Sequence, residues 1–157
     1  MKQIPLTNSD KFALVDDEDY DFLMQWKWHY DGYYARRQTH IGMFNGKQKQ
    51  KPIRLHIQIM NPPGKSQVDH INADRLDNRK CNLRLCSAQQ NNRNRGMSKR
   101  GYKGVHFSKK NKNWVAQITI NKKTTHIGSF KELKDALSAY NEAAIFHFGE
   151  FAKLNQI

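Results

Sequence analysis

The feature that most constrains this chain is a long basic stretch without acidic side chains. Residues 78–131 contain no Asp or Glu but carry 14 Lys or Arg residues. These are Arg79, Lys80, Arg84, Arg93, Arg95, Lys99, Arg100, Lys103, Lys109, Lys110, Lys112, Lys122, Lys123 and Lys131. Cations at this density repel one another unless a polyanion neutralises them. Nucleic acid is the simplest such partner, and an anionic membrane is the other candidate. The sequence favours nucleic acid because it has neither a long apolar run nor a basic amphipathic helix.

The length and composition allow only small hydrophobic cores. The chain has 157 residues, 38% of them hydrophobic and 26% charged, with a formal net charge of +13. One ordinary domain or two small ones fit this length, and small cores often need a metal, partner or ligand. Cys81 and Cys86 cannot make a four-cysteine zinc site and are interpreted as buried apolar residues. The N-terminus lacks the apolar segment of a signal peptide, so the chain is interpreted as intracellular.

The residue pattern of segment 1–50 predicts a small α/β cap. A strand suits residues 12–15, and the acidic residues 16–19 predict a helix start, because negative charge stabilises a helix N-terminus. Asn45-Gly46 is a strong signal for a β-hairpin. The aromatic residues between Trp26 and Tyr34 are interpreted as core, and no site is assigned to them.

Residues 51–95 hold the candidate chemistry. Residues 53–59 alternate apolar and polar side chains, which predicts a strand. A second strand is predicted to reach Asp69-His70, followed by a polar loop, a strand near Leu83 and a helix from Ala88. Residues 92–100 are rich in Asn, Arg, Lys, Ser and Gly and predict a basic linker.

Phosphodiester cleavage has requirements that this segment can meet. A histidine can remove a proton from water near neutral pH, and Asp and Asn oxygens suit a hard cation such as Mg²⁺. Asp69 and His70 are adjacent, so on a regular strand they would point to opposite faces. The pattern therefore requires a distorted strand end or a metal at the edge of the strand.

The segment from His56 to Arg95 resembles the HNH nuclease family, whose ββα-metal fold runs strand, loop, strand, helix. The resemblance implies that His70 is the general base and that Asp69 and Asn91 hold one divalent cation, most simply Mg²⁺, with Mn²⁺ as an alternative. It also implies that Asn82 pins the loop so that His70 keeps its tautomer and aim. Asn91 stands where many members have His, which makes this chain an HNN variant of the kind known among phage members.

Four further residues are assigned around this centre. Arg75, Arg79 and Arg84 are predicted to contact DNA phosphates, with solvated surface charge as the alternative. For His56, a contact to the phosphate or metal site and a hydrogen-bonded structural role remain equal alternatives.

Residues 101–157 predict a sheet packed on a helix. Three short strands are expected near residues 104–107, 114–120 and 124–128, and a helix over residues 133–148. Period-two alternation in the second strand turns Trp114, Ala116, Ile118 and Ile120 to the helix and Val115, Gln117 and Thr119 outward.

This region resembles the AP2 domain, a three-stranded sheet on one helix. The matching segments include residues 102–105, 114–118, 126–130 and 139–144. Carried over by alignment, the DNA-facing positions are Lys103, His106, Ser108, Gln117, Thr119, Thr124 and His126. Plant members carry Arg and Trp at several of these positions, so plant-type base recognition is not expected here. A polar face open to water is the alternative interpretation.

Together the patterns predict an α+β protein with four parts: a cap (1–50), an HNH nuclease core (51–95), a basic linker (96–100) and an AP2-like domain (101–157). The resemblance is to mobile or phage endonucleases of the homing type. It implies a nuclease that nicks or cuts double-stranded DNA and leaves 5′-phosphate and 3′-hydroxyl ends. The expected location is the cytoplasm of a bacterium or phage-infected host, and a monomer is favoured although the sequence does not determine the oligomeric state. A non-catalytic DNA-binding regulator and an RNA-directed nuclease are the alternatives.

Overall fold

The computed structural model describes residues 1–94 and 101–157, which form two compact units, Met1–Ala88 and Gln89–Ile157. The chain is mixed α/β, and each unit is described by itself. Within the described residues, no helix is long and apolar enough to cross a membrane.

The first unit contains three small antiparallel sheets, which pair β1 with β2, β3 with β4 and β5, and β6 with β7. Its strands are β1 (Lys2–Pro5), β2 (Phe12–Val15), β3 (His29–Tyr30), β4 (Ala35–Phe44), β5 (Lys47–Arg54), β6 (Gln67–His70) and β7 (Leu83–Cys86). Its helices are α1 (Asp17–Leu23) and α2 (Leu55–Met60), and a 3-10 turn covers Lys80–Asn82. Helix α3 (Ala88–Asn94) begins at the last residue of this unit.

Most local predictions for this unit are confirmed. The strand at Phe12–Val15 and the acidic helix start at Asp17 are both present. Asn45 and Gly46 form the tight turn between β4 and β5 with positive φ angles of 50° and 71°. The predicted order of strand, loop, strand and helix is formed by β6, β7 and α3. Helix α3 reaches Asn94, so the predicted linker is helical at its start, and residues 95–100 lie outside the described residues.

The predicted strand over residues 53–59 is wrong, because β5 ends at Arg54 and α2 follows. In an alternating pattern, apolar residues also stand four positions apart, which is the spacing of one helical face. Leu55 and Ile59 therefore lie on the same face of α2. Leu55 is fully buried, and Ile59 packs against the same core. Asn61, in the left-handed conformation with φ 38°, then ends the helix before two prolines.

One core connects the predicted cap to the predicted nuclease segment. It joins residues of β1, β2, α1, β4 and α2 with two residues of the connecting segments: Ile4, Leu6, Ala13, Val15, Leu23, Trp28, Ala35 and Leu55, with Leu76 packed against it. The backbone of β2 also holds the polar loop after β6. Leu14 N–H donates to the carbonyl of Leu76, and Asn78 N–H donates to the carbonyl of Leu14, both at 2.8 Å. The N-terminal hairpin therefore positions that loop directly.

The second unit is a three-stranded antiparallel sheet in the order β10-β9-β8, with one long helix. Its elements are β8 (Val105–Ser108), β9 (Asn113–Ile120), β10 (Lys123–Phe130), α4 (Leu133–Phe148) and a 3-10 turn at Gly149–Phe151. Its core contains Val105, Ala116, Ile118, Ala136, Leu137, Tyr140 and Ala144. The predicted helix bounds and the predicted inward face of β9 are confirmed.

A buried asparagine near the C-terminus ties this unit together. Asn155 Oδ1 accepts a hydrogen bond from the Lys103 backbone N–H at 2.8 Å, and its amide nitrogen donates to the Lys103 carbonyl at 3.0 Å. Its backbone N–H and carbonyl pair with the side chain of Asn141 on α4. The segment after α4 is therefore clamped to both the helix and the start of β8.

Candidate nuclease site and DNA-facing sheet

His70 is the last residue of β6 and lies in an aromatic cluster. It is 5% exposed, and its ring centroid lies 4.8 Å from that of His56 and 6.2 Å from that of Tyr34. The strand pairs regularly with β7 as far as His70, opposite Leu83. The chain turns immediately afterwards, so the predicted strand end falls at the histidine.

A neighbouring asparagine fixes the tautomer of His70. Asn78 is fully buried, and its amide nitrogen donates to the carbonyl of Leu76 at 2.9 Å. Its Oδ1 atom therefore faces His70 Nε2, 3.3 Å away. Because an amide oxygen only accepts, this network assigns the hydrogen to Nε2, and the lone pair of the neutral ring lies on Nδ1.

Asn82 closes the loop between β6 and β7. Its Oδ1 accepts from the Asn72 N–H at 3.0 Å, and its amide nitrogen donates to the Asp77 carbonyl at 2.8 Å. The Asn82 carbonyl also accepts from the Ile71 N–H at 2.9 Å. One side chain thus bridges the two halves of the loop that follows His70. The predicted pinning role of Asn82 fits these contacts and remains a prediction.

Asp69 lies on the other face of β6 and forms a buried ion pair with Arg84. Two guanidinium N–H groups of Arg84 donate to Asp69 Oδ2, at 3.0 Å from Nε and 2.8 Å from Nη2. The two side chains are only 6% and 11% exposed. The cross-strand register turns the Arg84 guanidinium to Asp69, and phosphate contact by Arg84 stays a prediction.

The other two predicted arginines keep more exposure. Arg79 forms a bidentate ion pair with Asp77. Its Nε donates to Oδ1 at 2.7 Å and its Nη2 to Oδ2 at 2.6 Å, and its side chain is 34% exposed. Arg75 lies over the rings of Tyr33 and Tyr34 at 5.1 Å from each centroid. Both can still present N–H groups to an anion, so phosphate contact by them remains a prediction.

Burial sets the protonation of the histidine pair. It lowers the pKa of His70 below its ordinary value, although the contact with Asn78 and the charge of Asp69 act in the opposite direction. Burial together with the neighbouring His70 lowers the pKa of His56 to about 3. Both rings are therefore neutral at neutral pH, the state in which an imidazole can accept a proton.

Asn91, the predicted second metal ligand, lies on α3. The residues after Ala88 belong to the second unit, so α3 begins in one unit and continues in the other. Its predicted role as a ligand beside Asp69 stays a prediction.

Six of the predicted DNA-facing residues share one face of the second unit's sheet. Residues paired across an antiparallel ladder point the same way, and Gln117 is opposite His126, Thr119 opposite Thr124, and His106 opposite Val115. Ser108 lies two residues after His106 and so shares this face. The hydroxyls of Thr119 and Thr124 are 2.9 Å apart. Exposed Lys109, Lys110, Lys112 and Lys122 occupy the turns at the two ends of the sheet.

Lys103 is separate from this face. Its ammonium donates to the backbone carbonyl of Arg93, and its backbone is held by Asn155. Burial, followed by the charge of Lys153, lowers the pKa of Lys103 to about 8. Its amine hydrogen-bonds within the unit, and its role as a DNA-facing residue stays a prediction.

Comparison with known proteins identifies the family. A family model described as HNH endonuclease matches residues 60–93, which run from the end of α2 through β6, the loop and β7 into α3. The chain is also 32% identical over 147 residues to an uncharacterized HNH endonuclease of Acanthamoeba polyphaga mimivirus, covering 93% of this chain and 75% of that protein. This chain belongs to the HNH endonuclease family. It is therefore a DNA endonuclease, and DNA is its substrate.

HNH nucleases generally use a divalent cation. Within residues 1–94 and 101–157, no group of three or more His, Cys, Asp or Glu could hold a metal ion. A magnesium site needs only one or two carboxylates, completed by neutral ligands, water and phosphate oxygens. Asp69 offers one such carboxylate, on the face of β6 opposite to His70 and hydrogen-bonded to Arg84. Beside His70, the Nδ1 atom of buried His56 has no hydrogen-bond partner among the described residues, but a ring nitrogen is not a ligand that Mg²⁺ prefers.

Sequence reasoning about this HNH nuclease missed Asn78 as the partner of His70. The residue stands beside Asp77 in the loop, and only its amide type marked it as a candidate. Its importance arises from two contacts, with Leu14 in β2 and with His70, that connect residues far apart in the chain.

Proposed function

We propose that this chain is a metal-dependent homing-type endonuclease that hydrolyses phosphodiester bonds of duplex DNA with His70 as general base. The observation that carries the proposal is the geometry of His70. The ring is neutral, its Nε2–H is held by Asn78, and its other nitrogen carries the lone pair. That nitrogen can take a proton from an attacking water molecule.

The neighbouring residues have supporting roles in this proposal. Asp69 and Asn91 would hold the divalent cation, which supplies positive charge to offset the charge on the leaving oxygen. Arg84 orients the Asp69 carboxylate through two hydrogen bonds. Asn82 keeps the loop closed behind His70, and Arg75 and Arg79 contact the DNA phosphates.

We assign duplex binding to the second unit as an AP2-like domain. The support is the set of hydrogen-bonding side chains on one sheet face, His106, Gln117, Thr119, Thr124 and His126, with lysines at the turns. A small sheet of this kind can enter a major groove and contact base edges. The chain would thus bind DNA with the sheet and cut it near His70, as a monomer inside the cell.

Incubation of the full chain with supercoiled plasmid tests this function. With Mg²⁺ or Mn²⁺ we expect nicked or linear plasmid carrying 5′-phosphate and 3′-hydroxyl ends, and with EDTA we expect intact plasmid. Asp69→Asn keeps the size of the side chain and removes its charge, so it should lower cleavage and raise the Mg²⁺ concentration needed for half-maximal rate. Cleavage that continues in EDTA would contradict the metal dependence, and binding without cleavage under all metals would favour the regulator alternative.

A further inference from the structure

The β4–β5 hairpin of the first unit extends well beyond the core. From Gln38 to Pro52, every residue except Thr39 is exposed. The seven residues 38–44 on β4 span about 24 Å. An isolated two-stranded ribbon has little stability of its own in water, so a ribbon of this length is typical of an element that binds a partner.

The charge of this ribbon suits an anionic partner. Residues 32–68 contain no Asp or Glu and carry seven basic residues: Arg36, Arg37, Lys47, Lys49, Lys51, Arg54 and Lys65. In residues 1–94 and 101–157, no carboxylate forms an ion pair with Lys47, Lys49 or Lys51. At the root of the ribbon, Arg36, Lys51 and Arg54 line one open recess together with Asp31, which pairs with Arg36, so the recess keeps a net positive charge.

Its two faces carry different chemistry. Along β5, Lys47, Lys49 and Lys51 alternate with Gln48 and Gln50, so the lysines point to one face and the amides to the other. Across the ladder, Gln50 is opposite His40, and Gln38 shares the face of His40. We call the first the lysine face and the second, formed by Gln38, His40, Gln48 and Gln50, the amide face.

Apolar side chains lie on β4 near the tip of the ribbon, just before the Asn45-Gly46 turn. Ile41, Met43 and Phe44 are 51%, 67% and 64% exposed, and the register of the ladder shifts between His40 and Met43. Apolar side chains beside amides and lysines match what the DNA major groove offers, which is base-edge donors and acceptors, thymine methyl groups and flanking phosphates.

We propose that the β4–β5 ribbon is an additional DNA-recognition element that lies in the major groove. The amide face reads base edges, the tip contacts thymine methyl groups, and the lysines reach the phosphates at the rims of the groove. The groove is wide enough for a two-stranded ribbon, and Gln is a common partner of adenine. The proposal rests on DNA being the substrate and goes beyond the sheet assigned to DNA binding above.

The ribbon offers a matched pair of variants at four successive exposed positions. Gln48→Ala with Gln50→Ala changes the amide face, and Lys49→Ala with Lys51→Ala changes the lysine face. None of these residues belongs to the proposed catalytic or metal machinery. Circular dichroism and thermal melting of both full-length variants should match the parent, because the side chains do not enter a core.

Binding is measured in EDTA, so that the DNA stays intact. The parent first selects duplexes from a random-sequence 40-base-pair pool, and the enriched duplex and a scrambled duplex are then titrated across a salt series. The lysine-face variant should weaken binding to both duplexes and lower the log–log salt slope by about 1.8, since each lost phosphate contact contributes about 0.9. The amide-face variant should keep the slope and lose about tenfold in preference for the enriched duplex.

The outcomes separate this proposal from the proposed function. If both variants bind and select as the parent does while the parent cuts plasmid with Mg²⁺, the ribbon proposal is overturned and the nuclease stands. If the parent does not cut but the variants change binding as expected, the ribbon proposal stands and the catalytic proposal fails. A lysine-face variant that loses binding only to phosphatidylglycerol vesicles would overturn the ribbon proposal in favour of a lipid surface.

Discussion

The site around His70 and the outer face of the β8–β9–β10 sheet contain similar residue types but differ in burial. Asp69 and His70 at the end of β6 and Asn78 in the loop that follows are buried, and each hydrogen-bonds to a specific neighbour. Thr119, Thr124 and His126 are exposed and share one face of the sheet through strand alternation and cross-strand pairing. Burial fixes protonation and aim, whereas exposure leaves hydrogen-bonding groups available to a partner. The comparison indicates that changes in the first region should alter chemistry or stability, and changes in the second should alter recognition.

The largest expected effect comes from removing the proposed base. His70→Ala should lower the rate of plasmid cleavage about 10²–10⁴-fold, because a positioned general base contributes on this scale. Affinity for DNA, measured in EDTA, should stay within about twofold of the parent. His147→Ala, which removes an exposed histidine with no role in the proposed catalytic or DNA-binding surfaces, is the control for cleavage. Full activity of His70→Ala would exclude His70 as the base.

Breaking the buried ion pair should lower stability strongly. Arg84→Met removes the guanidinium and leaves the Asp69 carboxylate buried without its cationic partner, which typically costs about 3–5 kcal/mol of unfolding free energy. Urea denaturation measures this loss. The double variant Asp69→Leu with Arg84→Met should recover most of the stability but no cleavage. A stability loss in the double variant as large as in the single one would show that the cost does not arise from the uncompensated charge.

Buried neutral histidines predict a stability that falls in mild acid. Burial depresses the pKa of His56 to about 3, so between that value and the unfolded value near 6.5 the unfolded chain binds more protons than the folded one. The contribution is complete above pH 6.5 and is lost as the pH falls. From pH 7 to pH 5 the loss due to His56 alone is about 2 kcal/mol.

Urea denaturation of the parent and of His56→Leu at both pH values tests this linkage. The variant should lose less stability on acidification than the parent by about that amount, and His40→Gln serves as the exposed-histidine control. An equal loss in the parent and in His56→Leu would contradict the interpretation that His56 is buried in its neutral form.

The smallest expected effect concerns the sheet of the second unit. Gln117→Ala with His126→Ala removes one cross-strand pair from the exposed face. We expect about a tenfold loss in preference for a selected duplex over a scrambled one, with the salt slope unchanged, because contacts to base edges release few counterions. Plasmid cleavage in Mg²⁺ at saturating enzyme should remain at the parental rate. A reduced salt slope would indicate that this face binds phosphates instead.

The periodicity of apolar residues and the residue types at turns predicted much of the fold. The Asn45-Gly46 turn, the inward face of β9 and the bounds of α4 follow from local pattern, since each depends on residues within a few positions. Helix α2 was missed because a short alternating run fits both a strand and a four-residue helical spacing.

The candidate site was predictable in outline only. Asp69, His70 and Asn82 occur in the right order along the chain, and the strand end at His70 agrees with the chemistry expected of them. The partners that define their state were not predictable from local pattern. Arg84 faces Asp69 through cross-strand register, and Asn78 reaches His70 from within a loop held by β2. These contacts depend on long-range pairing that spacing does not encode.

The two backbone hydrogen bonds between Leu14 and the loop after β6 limit whether this nuclease motif can function when it is moved into another protein. The family match covers residues 60–93, yet the backbone that supports Leu76 and Asn78 belongs to β2, near the start of the chain. A graft of the matched segment alone onto another DNA-binding protein would leave the Leu76 carbonyl and the Asn78 N–H without these partners and would loosen the asparagine that aims His70. The smallest fragment expected to keep nuclease activity in a fusion protein therefore includes the N-terminal hairpin. Gene fusions should keep that hairpin and the motif on one uninterrupted chain.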